Sequence, residues 1–171
     1  MRTASTHPGA TLGTVIVTVD HPAFSRGIDR FLSELREEPR YFGPTASTNP
    51  KPFPSLIEAL RGRGEFRVAA VESGRIVGLA RVDGAGEMYL AVVADRRGAG
   101  IGVALCRHAL ARAAELHYRN VVVRSTRRSH AAQRMAERLG CLMVEHDHGR
   151  TDLVLDPQRI VPAVTWQQLI A

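Results

Sequence analysis

Residues 86–116, GEMYLAVVADRRGAGIGVALCRHALARAAEL, switch from the apolar period of a strand to that of a helix across a run of glycines. No other stretch constrains the fold as tightly. Met88, Leu90 and Val92 fall on one face of the extended part, Tyr89, Ala91 and Val93 on the other. Apolar character on both faces places that strand at the centre of a sheet, covered on both sides. From Ile101 onward, Ile101, Leu105, Ala109, Ala113 and Leu116 form one helical stripe. Between strand and helix lies Arg97-Gly98-Ala99-Gly100-Ile101-Gly102. The first amides of a helix have no intrahelical partner, and the helix dipole adds partial positive charge beside them. Glycines remove the side chains that would hold a ligand away from those amides. The combination suits a phosphate or diphosphate.

The spelling of the turn narrows the choice. A Walker-type loop ends in Gly-Lys-Ser/Thr, and no lysine stands near Gly100-Ile101-Gly102. The dinucleotide fingerprint begun at Gly98 needs a third glycine where Val103 stands. The pattern Gln/Arg-x-x-Gly-x-Gly/Ala is met by Arg97, Gly100 and Gly102, with Leu90-Ala91-Val92 before it. In this the chain resembles the acetyl-coenzyme-A-binding motif of the GNAT superfamily of N-acetyltransferases. The competing reading is an ordinary strand–turn–helix corner whose glycines serve geometry alone.

The chain has 171 residues, enough for one domain with a substantial core, and 44% of them are hydrophobic. No apolar run is long enough to span a bilayer, and the polar start MRTASTHPGA is not a signal peptide, which points to the cytoplasm. Cys106 and Cys141 lack metal-type spacing and read as reduced thiols, Cys106 as a small core residue. A net charge of +6 raises the question of nucleic acid, but Lys51 is the only lysine among 23 basic residues and the arginines are scattered. That distribution argues against a nucleic-acid surface.

In chain order, residues 1–11 read as a mobile leader, 12–156 as the domain and 157–171 as a tail of unassigned structure. Thr14–Val19 is a β-branched strand, followed by an amphipathic helix through Phe24, Ile28, Phe31, Leu32 and Leu35. Arg40 to Pro54, with four prolines, reads as an irregular loop, and Leu56 to Leu60 as a short helix. Phe66–Val71 and Arg75–Val82 are joined at a tight hairpin. After the long helix come a buried strand at 120–124, a helix at 129–139 closed by Gly140, and a last hairpin of 141–145 with 151–155. This is the GNAT order, so the resemblance implies one α/β (α+β) domain: a mixed, mostly antiparallel sheet of about seven strands flanked by about four helices.

The resemblance also implies acetyl transfer from acetyl-coenzyme A, as co-substrate and without a metal, to a protein lysine or a small-molecule amine. By position, Leu90, Ala91 and Val92 would hold the pantetheine arm, and Gly98, Ala99, Gly100, Ile101, Gly102 and Val103 the diphosphate. Arg97, with Arg96 beside it, would supply charge, and Ser129 falls where a coenzyme-contacting asparagine is common. A backbone amide near Val92 would face the thioester carbonyl. Glu87 stands where some members keep a catalytic glutamate, and an amine with a pKa near ~10 needs such a base. The stretch Gly86–Val92 is similar to the corresponding one in bacterial protein lysine acetyltransferases.

Two departures stand out. Ala136 occupies the place of the family's proton-donating tyrosine, which leaves solvent, Tyr89 or Tyr118 for that role and admits a coenzyme-binding module without chemistry. Ser129 replaces the asparagine. Arg124–Arg128 reads as a loop beside the coenzyme, either touching its 3′-phosphate or solvated. Glu145-His146-Asp147-His148 reads as a solvated turn rather than a metal site. Trp166 and its apolar neighbours offer a surface for a homodimer.

Overall fold

The computed structural model describes residues 13–36, 56–62, 64–126 and 130–160. Its elements are β1 (Val15–Thr18), α1 (Ser25–Arg36), α2 (Leu56–Arg61), β2 (Phe66–Glu72), β3 (Arg75–Val82), β4 (Glu87–Val92), α3 (Ile101–Glu115), β5 (Val121–Thr126), α4 (His130–Leu139), β6 (Leu142–Glu145), β7 (Arg150–Leu155) and α5 (Pro157–Ile160). The seven strands form one sheet in the order β1-β2-β3-β4-β5-β7-β6. Every neighbouring pair is antiparallel except β4 and β5. The α/β class and the mixed sheet are as expected, with α5 as a fifth, one-turn helix at the start of the expected tail. The leader 1–11, the loop 40–54, Ser129 and Trp166 lie outside the described residues.

Local chemistry explains most of the elements. Ile28, Phe31, Leu32 and Leu35 bury one stripe of α1. The β2–β3 hairpin turns on Ser73 and Gly74, both at positive φ (47° and 78°), which suits the twist of the strands it joins. Between Ala70 and Val71 the β2–β3 register shifts, and this bulge turns Gly78 toward α3 while Ile76 faces α1. A Cβ on Gly78 would lie 2.8 Å from Leu105 Cδ1 and 3.2 Å from Ile101 Cγ2, so glycine lets the first turn of α3 settle onto the sheet. Arg81, of opposite parity to Gly78, reaches Ala59 O of α2 on the other face. The helices therefore form two layers: α3 and α4 on one side, α1 and α2 on the other.

Two expectations need correction. The segment 124–128 is not all loop, because Arg124, Ser125 and Thr126 complete β5. That strand is also not fully buried: Val121 is, but Val122 and Val123 are half-buried and Arg124 is exposed. β4 is central in the sheet as expected, and it pairs with β5 only at its start.

Candidate active site

The parallel ladder between β4 and β5 contains only Glu87↔Val122 and Met88↔Val123. Among the described residues, Tyr89 to Val92 have no β5 partner, although Tyr89, Leu90, Ala91 and Val92 all pair with β3. Parity decides which main-chain groups face the opening. Glu87 O and Val93 N bond toward the β3 side, at Asp83 N and Val77 O, while Gly86 O accepts from Val122 N of β5. Odd-numbered residues of β4 thus address β3, and the peptide groups of Leu90 and Val92 address the gap. Ala91 turns its peptide groups to β3, so of the three residues expected along the pantetheine it is the one whose main chain does not reach the gap.

The glycine turn stands at the end of this gap. Gly98 and Gly100 have φ of 81° and 85°, a left-handed conformation that costs little only without a Cβ. Gly100 is the N-cap of α3, with no side-chain cap and no acidic residue in the first turn. Its carbonyl accepts from Ala104 N at 3.0 Å, which puts the amides of Ile101, Gly102 and Val103 ahead of the helical ladder. Among the described residues nothing lies within 4 Å of where a Gly98 Cβ would be. A Cβ on Gly102 would look toward Leu90, Val92 and Met135 at 3.6–3.9 Å, so the helix start overlooks the unpaired edge of β4. Ala99 is half-buried beside it. The turn is open, and the amides of Ile101, Gly102 and Val103 precede the helical ladder beside it.

The two arginines before the turn do different things. Arg97 Nε donates to Val92 O at 3.1 Å, holding the guanidinium between the strand end and the turn. Arg96 Nε instead donates to Glu72 Oε2 at 2.7 Å, away from the turn. Glu72 also accepts from the Thr14 hydroxyl at 2.6 Å, and these two partners, Thr14 foremost, hold its carboxyl below the usual range. Arg96 therefore anchors the loop. Arg75 adds to the same brace by pairing with both Glu34 and Asp95.

On the α1/α2 face of the sheet, where β4 and β5 are still paired, lies a compact polar group. Glu87 Oε2 accepts from Tyr89 Oη at 2.7 Å, and Glu87 Oε1 pairs with Arg124 Nη2. Arg81 stacks over the Tyr89 ring, its Cζ 5.4 Å from the centroid. Burial, then the hydrogen bond to Glu87, raises the Tyr89 hydroxyl to about 12, so it remains protonated. Next to Arg124 in register is Asp152, which pairs with His146 Nε2 at 2.9 Å and Arg150 Nε at 3.6 Å. His146 is thus tied to β7 rather than merely solvated. Among the described residues no group of three or more His, Cys, Asp or Glu is placed to hold a metal ion.

The remaining site expectations divide. Ala136 is buried against Leu153 and Ala132, so the described part of α4 offers no hydroxyl at that position. Tyr118 Oη donates to Asp83 O at 3.2 Å, propping the turn before β4. Cys106 is fully buried near Met88, and desolvation pushes its thiol up to about 12, which excludes it as a nucleophile. The partnership of Glu87 with Tyr89 had a sequence signal, since residues two apart on a strand share a face. Arg124 had none, because its place depends on the β4–β5 register.

The family model described as the Acetyltransferase (GNAT) family matches residues 28–141. The chain belongs to that family. Its shared chemistry is acetyl transfer from acetyl-coenzyme A, and the matched span contains the split strand pair and the glycine turn. No curated protein matches the sequence. Among solved structures, the GNAT domain of S. lividans PAT is similar at 16% identity and TM-score 0.62, over 84% of this chain and 90% of that one. YncA of Salmonella typhimurium, solved with acetyl-CoA as its cofactor, is similar at 15% identity and TM-score 0.61, over 85% and 94%. An N-acetyltransferase from Staphylococcus aureus Mu50 gives 17% and 0.60, over 85% and 99%. At these identities the likeness is one of fold. Among the described residues of this GNAT protein, no helix is long and apolar enough to cross a membrane.

Proposed function

We propose that this GNAT protein acetylates a primary amine, on a protein lysine or a small molecule, by direct attack within a ternary complex in the cytoplasm. The observation that carries the reading is the parting of β4 from β5 after Met88, which opens a gap running to an uncapped, glycine-built helix start. Acetyl-coenzyme A supplies an activated acyl thioester. The Leu90 peptide groups and the Val92 amide face an extended arm in the gap, much as a sheet edge accepts an added strand, while Arg97 holds Val92 O. The amides from Gly98 to Val103 and the Arg97 guanidinium meet a diphosphate, the guanidinium adding charge-assisted bonds. A Leu90 or Val92 amide serves the carbonyl oxygen as negative charge develops there.

Glu87 takes the proton that the acceptor amine must lose, because an ammonium has no lone pair with which to attack. It sits on the acceptor face at the point where the strands part. The nitrogen–carbon bond forms, the carbon–sulfur bond breaks, and the thiolate leaves. A thiol pKa near ~8.5 makes that departure feasible without the family's tyrosine. The test is thiol release from acetyl-coenzyme A with a panel of amines. Coenzyme binding without turnover on any amine would instead support the binding-module reading that Ala136 suggests.

A further inference from the structure

Building on that reading, we infer that the acceptor carries a carboxylate close to its amine, and that Arg124 recognises it. Both oxygens of Glu87 are engaged: Oε2 by Tyr89 and Oε1 by Arg124. Each oxygen keeps a second lone pair, but the ammonium that an acceptor brings is repelled by the Arg124 guanidinium while that cation stays on Oε1. Tyr89 is half-buried, stacked under Arg81, and joined to Glu87 within one strand. Arg124 is the more accessible partner, with 39% of its side chain exposed. It lies one residue beyond the last β4–β5 pair, on the same face as Glu87. An incoming carboxylate offers the guanidinium a planar, bidentate partner, and a neighbouring amine is then delivered to the Glu87 oxygen that Arg124 releases.

The surrounding charges favour the same acceptor class. Among the described residues of β4, β5 and β7, the carboxylates are Glu87 and Asp152, and each already faces an arginine, Arg124 and Arg150 respectively. Asp152 is further matched by His146. Asp83, at the turn before β4, is a further carboxylate whose charge reaches Tyr89, its Oδ1 accepting from the amides of Ala85 and Glu87, and Arg81 adds positive charge over that ring.

The experiment compares kcat/KM for matched acceptors in two arms: free α-amino acids against their amides, and lysine peptides flanked by Asp against the same peptides with Asn. Parent and Arg124→Gln protein are run together, with coenzyme A affinity by calorimetry showing that each is folded. The parent should prefer the carboxylate-bearing member of at least one arm by ~10–100-fold, the range of a charge-assisted bidentate contact. In Arg124→Gln that ratio should fall toward one, and Arg124→Lys should recover part of it. The arm showing the preference identifies a free amino acid or a polypeptide as the source. Turnover of amides and Asn peptides as fast as their partners would overturn the inference while leaving acetyl transfer to amines intact. A preference that survives Arg124→Gln would equally overturn it. Coenzyme binding with no turnover in any arm would overturn both readings.

Discussion

Replacing Glu87 by glutamine separates catalysis from architecture at this site. The two side chains have nearly the same shape, and the backbone amide of residue 87 keeps its bond to Asp83 Oδ1. What changes is charge and one acceptor. The amide oxygen can still accept from Tyr89, while the amide NH2 would confront the donors of Arg124. Arg124 is over one-third exposed and turns to water, so the lost ion pair costs under about 1 kcal/mol, or ~2–4 °C in Tm for a chain of this size. Removing a general base, by contrast, lowers turnover by ~100-fold or more, about 2.7 kcal/mol in the barrier. Steady-state thiol release should therefore show kcat falling by that factor, with coenzyme A affinity within about twofold of the parent by calorimetry. Equal kcat for the two proteins would remove Glu87 from the proton path. A fall in coenzyme affinity as large as the fall in kcat would show that the residue shapes the gap instead.

Other perturbations probe the surrounding structure. Gly102→Val keeps its Cβ in ordinary contact with Leu90 and Met135 but extends methyl groups toward the cleft; coenzyme A affinity should drop at least ~10-fold in calorimetry with Tm nearly unchanged. Gly78→Ala drives a methyl against Leu105 and Ile101, an overpacking of ~1–3 kcal/mol, and should lower Tm by ~3–10 °C in calorimetric scans. The Glu72 carboxyl is held below its ordinary value of 4.5, so its contribution is present above that pH and is lost as pH falls through the lower, folded-state value. Chemical denaturation from pH 6 to 3 should show a shallower acid loss for Glu72→Gln than for the parent. Cys106 should resist thiol reagents at about pH 8 in the native protein and react once guanidinium unfolds it, as followed by mass spectrometry.

The strand–turn–helix was legible because it is local. Parity along residues 88–93 and the stripe from Ile101 to Ala113 depend on spacing alone, and the glycines at 98 and 100 occupy the left-handed positions that such a turn requires. The site around it was less legible where it depends on pairing. That β4 and β5 separate after Met88 is a property of two segments more than thirty positions apart, and neither announces it. Arg124 was legible as the end of a strand near the coenzyme, but neither its pairing with Glu87 nor the strand's extension to Thr126 was. Arg96 looked like a partner to Arg97, but Glu72 and Thr14, distant in sequence, draw it to the other side of the loop. The bulge that turns Gly78 toward α3 likewise needed the neighbouring strand to be seen.

The brevity of the β4–β5 ladder bears on where another extended molecule can join this sheet. A row of idle peptide groups along an outer strand invites another chain to dock and polymerise. Here the strand edge that parts from its neighbour is enclosed between β4 and β5, bounded at one end by two rungs of ladder and overlooked at the other by a helix start. A slender extended molecule can lie along it, whereas a second sheet is denied the flat, open approach it would need. The margins of the sheet remain β1 and β6, and the split between β4 and β5 adds a further docking edge inside it that only a narrow molecule can enter.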